Sequence, residues 1–215
     1  MFMSIKNVPK VPWSSDKPLN LKPKSSTFFF LCLGLTLFGL GEGLLIVSAA
    51  GASPWSVFAQ GIYLNFGLSI GIVTILISVV VLILWLPLKQ KPGIGTILNA
   101  LIVGFMIDIC IKFVPTPENY FSQLFLAFLA VLTVGVGGGI YLVANLGAGP
   151  RDGLMIGLQK KTNLPIAAVR AILEITVMSI GWYLGGTVGL GTLLFAFGIG
   201  PAVALSLYLV GKTFN

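Results

Sequence analysis

Histidine is absent from this chain, and cysteine occurs only at Cys32 and Cys110. Without histidine no Ser/His or Cys/His catalytic pair can form, and the commonest zinc ligand is missing. Both cysteines lie inside long apolar stretches, where they read as packing residues and build no external disulfide framework. Charge is scarce too. Basic and acidic residues together make up 9% of the 215 residues, whereas a soluble domain carries about 25%. Residues 43–88, 120–150 and 175–211 contain no charge at all. Each run exceeds the roughly 20 residues that span a hydrocarbon core. There is no nucleotide-binding loop and no metal-ligand spacing. The chain therefore does not read as an enzyme, and neither a cofactor nor a metal is expected.

What is present is hydrophobic: 56% of the residues, with a mean hydropathy of +1.01. Apolar runs and their breakers predict six transmembrane helices, at 28–50, 68–86, 96–114, 121–146, 166–184 and 192–210. Pro87, Pro92, Pro115, Pro117 and Pro165 punctuate them, as do the glycines at 185–191. Two stretches too short to span, 55–66 and 151–163, read as short interfacial or re-entrant helices. Residues 1–26 read as a flexible, basic cytoplasmic arm, ahead of one transmembrane domain at 27–210. With the N-terminus inside, eleven basic residues fall in cytoplasmic segments, from Lys6 to Lys212. Only Lys112 falls outside. That bias predicts both termini in the cytoplasm. Basic residues placed at span ends are orientation signals, so the net charge of +7 does not point to nucleic acid.

The glycines carry a second message. Shifted by 96 residues, Gly39, Gly41 and Gly43 fall on Gly135, Gly137 and Gly139 without a gap. Gly51 and Pro54 fall on Gly147 and Pro150, and Gly93 and Gly95 fall on Gly189 and Gly191. Helix packing explains single glycines, but not a Gly-Ala-x-Pro break at the same place in both halves. Repeats at about 28–114 and 121–210 each hold three spans. An odd number turns the second copy over in the membrane. The expected fold is thus an all-α membrane protein of two inverted three-helix repeats, each with a Gly/Pro-broken short helix. Secondary transporters place their sites between such repeats.

Intramembrane charges are costly and need partners, so they mark candidate positions. Glu42, flanked by glycines in the first span, reads either as a functional carboxylate or as a structural hydrogen bond to a neighbouring helix. Arg170 and Glu174 stand four apart on one helix face, about 7 and 13 Å deep counting from Pro165. They read either as a self-neutralising pair or as an anion holder beside a proton or cation site. Arg151 and Asp152 follow a helix-starting proline, where Asp152 suits the dipole and Arg151 can reach headgroups. Gln60, Asn99, Asp108 and Asn145 are secondary polar candidates. Asp108 is expected to pair with Lys112 at the surface, and Trp55 to anchor at the interface.

The Leu-Gly-Ala-Gly-Pro-Arg-Asp-Gly-Leu-Met run at 146–155 is followed by Arg170, Glu174 and Gly-Gly-Thr-Val-Gly-Leu-Gly-Thr at 185–192. Together with Pro54-Trp55, Gln60-Gly61, the Pro-Gly-Ile-Gly-Thr run at 92–96, Asn99 and Asp108, this resembles the bacterial YczE-like proteins of the YczE/YyaS/YitT group. The resemblance covers about 27–209 and implies a bacterial plasma-membrane protein. Ser56 departs from the pattern, because an aspartate is expected there as the counterpart of Asp152. The functional expectation is a small transporter or permease for an unidentified solute or ion. The alternative is an accessory membrane protein supporting a partner enzyme or transporter. Its surroundings are lipid, with a second copy or another membrane protein as a further candidate partner.

Overall fold

The computed structural model describes residues 8–214, so expectations resting on 1–7 or on Asn215, Lys6 among them, lie outside the described residues. Eight helices follow one another: α1 (Ser25–Val47), α2 (Pro54–Phe66), α3 (Ile70–Trp85), α4 (Ile94–Phe113), α5 (Tyr120–Ala144), α6 (Pro150–Thr162), α7 (Ile166–Tyr183) and α8 (Leu190–Phe214). No strand occurs among the described residues. Five of them, α1, α4, α5, α7 and α8, are long and apolar enough to cross a membrane. A sixth crossing arises if α2 and α3, which meet at 114°, count as one bent span. Their outward faces carry side chains such as Phe105 (65% exposed) and Phe197 (79% exposed). Water does not tolerate so much continuous apolar surface. The chain is a multi-pass, all-helical membrane protein.

Glycine decides how closely the long helices approach. A Cβ on Gly39 would collide with Val103 and Met106 of α4, and one on Gly41 with Val134 of α5. The second half repeats this in register, with Gly135 against Ala202 of α8 and Gly137 against Phe38 of α1. Helix α1 thus lies between α4 and α5, and α5 between α1 and α8. The short helices cross over: α2 packs on α7, and α6 on α3.

The breaks correspond as closely. The described residues with left-handed backbone form four pairs 96 positions apart. They are Ala49 and Asn145 (φ 56° and 52°), Gly51 and Gly147 (118° and 114°), Gly67 and Asn163 (72° and 57°), and Lys89 and Gly185 (54° and 97°). Gly51 and Gly147 have both a conformation that favours glycine and no room for a side chain. Each break then grips the start of the other half's last helix. The Gly191 N–H donates to the Ala50 carbonyl at 2.7 Å, and the Gly95 N–H to the Leu146 carbonyl at 2.8 Å.

The described part of the basic arm is not the flexible segment its composition predicts. Val11 and Trp13 are buried among Leu31, Leu35, Tyr141 and Leu207. Trp13 stacks on Phe30 at 4.3 Å and meets Phe214 edge-on. Asn145 donates from Nδ2 to the Ser15 carbonyl at 2.8 Å, and Thr27 from its hydroxyl to the Trp13 carbonyl at 2.6 Å. Three apolar or small residues inside a lysine-rich stretch are enough to dock it.

Candidate functional site

Helix α1 packs between α4 and α5, and its inward face near the C-terminal end is shut off from lipid and water. Glu42 occupies that position and is fully buried. A carboxylate held this deep needs donors. The break after α1 supplies them: Ser53 and Ser56 each donate a hydroxyl to Glu42 Oε2 at 2.7 Å. Both hydroxyls come from the start of α2, whose positive dipole end favours the negative charge. Arg151 Nη1 lies 3.9 Å from Oε1, close enough for Coulombic attraction but beyond hydrogen-bond reach.

The second half solves the same junction with the acid on the other side. Tyr141, on α5, donates to Asp152 Oδ2 at 2.7 Å and accepts from the Gly149 N–H at 3.0 Å. In the first half the acid is on the long helix and the hydroxyl on the short one. In the second half the acid is on the short helix. This accounts for Ser56, which stands where an aspartate is expected: an acid there would face Glu42.

Trp55 and Arg151, the second residues of α2 and α6, meet in the centre. The guanidinium lies 5.2 Å from the centroid of the indole ring, within cation–π range. Trp55 is 6% exposed, so it is not an interfacial anchor. Its indole N–H has no partner. On α7, Arg170 donates from Nε to Glu174 Oε1 at 2.8 Å, as their spacing predicts.

These groups line one cavity of about 270 Å³. All five primary candidates, Glu42, Arg151, Asp152, Arg170 and Glu174, contribute to its wall. The walls correspond at eight pairs of positions 96 apart: 42/138, 53/149, 54/150, 55/151, 74/170, 78/174, 99/195 and 103/199. Position is shared at all eight, but chemistry is shared at few, Pro54 and Pro150 among them. Thr74 and Ser78 of α3 stand where α7 has Arg170 and Glu174. Glu42 stands opposite Gly138, and Asn99 opposite Phe195.

Of the secondary candidates only Asn99 reaches the cavity. Gln60 accepts from the Thr187 N–H at 3.1 Å, and Asn145 ends α5 and holds the arm. Asp108 does not pair with Lys112. It accepts from the Ser69 hydroxyl (2.5 Å) and the Gly71 N–H (2.7 Å). Those are open valences at the start of α3, a stronger claim on a carboxylate than an exposed lysine. Among the break residues, Pro54 and Pro150 line the cavity, while Gly51, Gly93, Gly95, Gly147, Gly189 and Gly191 form its outer support.

The family model that matches residues 25–207 is described as a family of unknown function, DUF6198. The chain belongs to this family. Among curated relatives, an uncharacterized protein of Haemophilus influenzae is 37% identical over 99% of this chain and 96% of its own length. The uncharacterized membrane protein YczE of Bacillus subtilis is 35% identical over 84% of each chain. The uncharacterized protein YyaS of the same organism is 27% identical over 78% of this chain and 85% of its own. The resemblance to YczE-like proteins is therefore shown, and no solved structure matches. Against this DUF6198 frame, the residues that sequence reasoning missed are Tyr141, Ser53, Thr74 and Ser78. The 96-residue offset applied to Arg170 and Glu174 would have pointed to the last two.

Proposed function

We propose that this protein is a small secondary transporter or permease of the bacterial plasma membrane, with both termini cytoplasmic. Its two halves act as inverted three-helix repeats, and the solute site is the cavity between them. One observation carries the reading: a cavity lined at matched positions by both halves gathers three acids and two arginines inside a membrane protein. Charges there are expensive unless they serve an ion or solute path. With no nucleotide-binding loop in the sequence, an ion gradient or a partner protein would supply the driving force.

A second feature supports alternation between two states. Where α3 packs on α4, Gly104 lies against Gly71 and Ile75 with no space for a Cβ. At the corresponding place in the second half, a Cβ on Gly200 of α8 would meet nothing within 4 Å. In the proposed orientation the first seam closes the outer half and the second leaves the cytoplasmic half open. The opposite state would exchange these two conditions. Purified protein alone in liposomes, offered a labelled metabolite extract under a proton or sodium gradient, is expected to accumulate a solute, with Glu174→Gln abolishing uptake. Protein that binds a solute but never moves it would instead be an accessory membrane protein.

A further inference from the structure

The cavity has an unequal set of valences. Its three acids face two arginines, and the arginines are partly spoken for. Arg170 is committed to Glu174 at 2.8 Å, and Arg151 approaches Glu42 no closer than 3.9 Å. Glu42 Oε2 takes both serine hydroxyls, while Oε1, fully buried, has no hydrogen-bond partner. A buried carboxylate oxygen left unpaired is rare.

The hydroxyls around it are spent in a consistent way. Ser53 and Ser56 give their hydrogens to Glu42. Thr74 gives its hydrogen to the Ile70 carbonyl and Ser78 to the Thr74 carbonyl, both at 2.9 Å. A hydroxyl whose hydrogen is committed can only accept. The wall formed by α1, α2 and α3 therefore offers acceptors to the cavity and no donor, apart from the unpaired Trp55 indole N–H. The complementary ligand is a cationic donor of several hydrogens with an oxygen acceptor close by. The volume falls just below the roughly 300–1,000 Å³ of drug-sized pockets, which suits a small solute.

We infer that the cavity binds a small primary ammonium compound. Its –NH₃⁺ group sits on Glu42 Oε1 and the hydroxyl-lined wall, and its neighbouring hydroxyl or carboxylate oxygen accepts from Trp55 Nε1. The inference rests on the transporter reading only for the location of the site. The test is thermal stabilisation of the purified full chain in detergent by ethanolamine, glycine, tetramethylammonium, acetate and sodium chloride at matched ionic strength. Ethanolamine or glycine is expected to stabilise saturably. Tetramethylammonium, which lacks N–H donors, is expected to give no shift, and neither are acetate and sodium chloride. Which of the two amines is preferred distinguishes a hydroxyl from a carboxylate at Trp55.

Glu42→Gln is expected to weaken amine binding roughly tenfold or more, the scale of one hydrogen bond to a charged group. Because that variant can fail to fold, Trp55→Phe is the second probe. It keeps an aromatic ring beneath Arg151 and removes the N–H together with the fused part of the indole, and several-fold weaker amine binding is expected. Equal stabilisation by tetramethylammonium, stabilisation by acetate or sodium chloride alone, or unchanged amine binding in Trp55→Phe would overturn the proposal. Transport of some other solute without amine binding would remove this inference and keep the transporter reading. Saturable amine binding without transport would do the reverse.

Discussion

Arg151 lies over the Trp55 ring, 5.2 Å from its centroid, and the two residues hold the same position in their respective halves. Each follows the proline that starts its short helix. Two positions 96 residues apart thus hold unlike partners in contact with each other. The contact is a cation–π one, and the guanidinium's several N–H groups also leave it able to turn toward Glu42 and Asp152.

The swapped acids make a sharp prediction. Ser56→Asp alone places a second carboxylate where a hydroxyl now donates to Glu42 at 2.7 Å. It is expected to destabilise on the order of 3 kcal/mol, as an uncompensated buried charge does. Glu42→Gly with Ser56→Asp transfers the acid to α2, the arrangement of the second half, and should recover most of that loss. Thermal denaturation of the three proteins in detergent checks it, and equal stability of the two variants would count against the exchange.

The two seams should respond differently to the same change. Gly104→Val meets Ile75 and the Gly71 carbonyl and is expected to cost about 1–3 kcal/mol. A Cβ on Gly200 meets nothing within 4 Å, so Gly200→Val should stay within about 0.5 kcal/mol of the parent. If α7 closes on α8 during transport, the Gly200 variant, whose new side chain also borders the cavity, loses transport more severely than solute binding. A Gly200 variant with full transport would refute that closure.

Glu174→Gln separates the two readings of the α7 pair. As part of a coupling site, Glu174 can be neutralised with normal insertion and loss of transport. As a structural partner of Arg170, its neutralisation lowers stability, and Arg170→Leu/Glu174→Leu restores both stability and function. Melting temperature and uptake measured on the same preparations decide between them.

Trp13→Ala removes the ring stacked on Phe30 and is expected to cost about 3–5 kcal/mol, as for large buried aromatic groups. Increased protease cleavage within the arm would accompany it. An arm as resistant as the parent's would mean that the docking energy resides elsewhere.

Helix positions were legible because apolar runs, prolines and glycines are one-dimensional signals. The predicted span 166–184 and the observed Ile166–Tyr183 differ by one residue. The 96-residue offset was legible for the same reason, and so was the convergence of Glu42, Arg151 and Glu174, since buried charges seek one another. The docked arm was not, because lysines dominated its composition while Val11 and Trp13 carried its energetics. Nor was the role of Asp108. Its partners, Ser69 and Gly71, lie on another helix, and local spacing offered Lys112 instead. Thr74 and Ser78 were hidden because their chemistry is mild and only their position is informative.

The crossing of short helices also sets an order on biogenesis. Glu42 is followed within 11 and 14 residues by its two serine partners, so this carboxylate can enter the bilayer already hydrogen-bonded. Arg151 emerges from the ribosome roughly 5–20 s later. Helices α2 and α3 must likewise wait for α7 and α6. Until then the faces of α2 and α3 that later pack on α7 and α6 stay uncovered in the nascent first half.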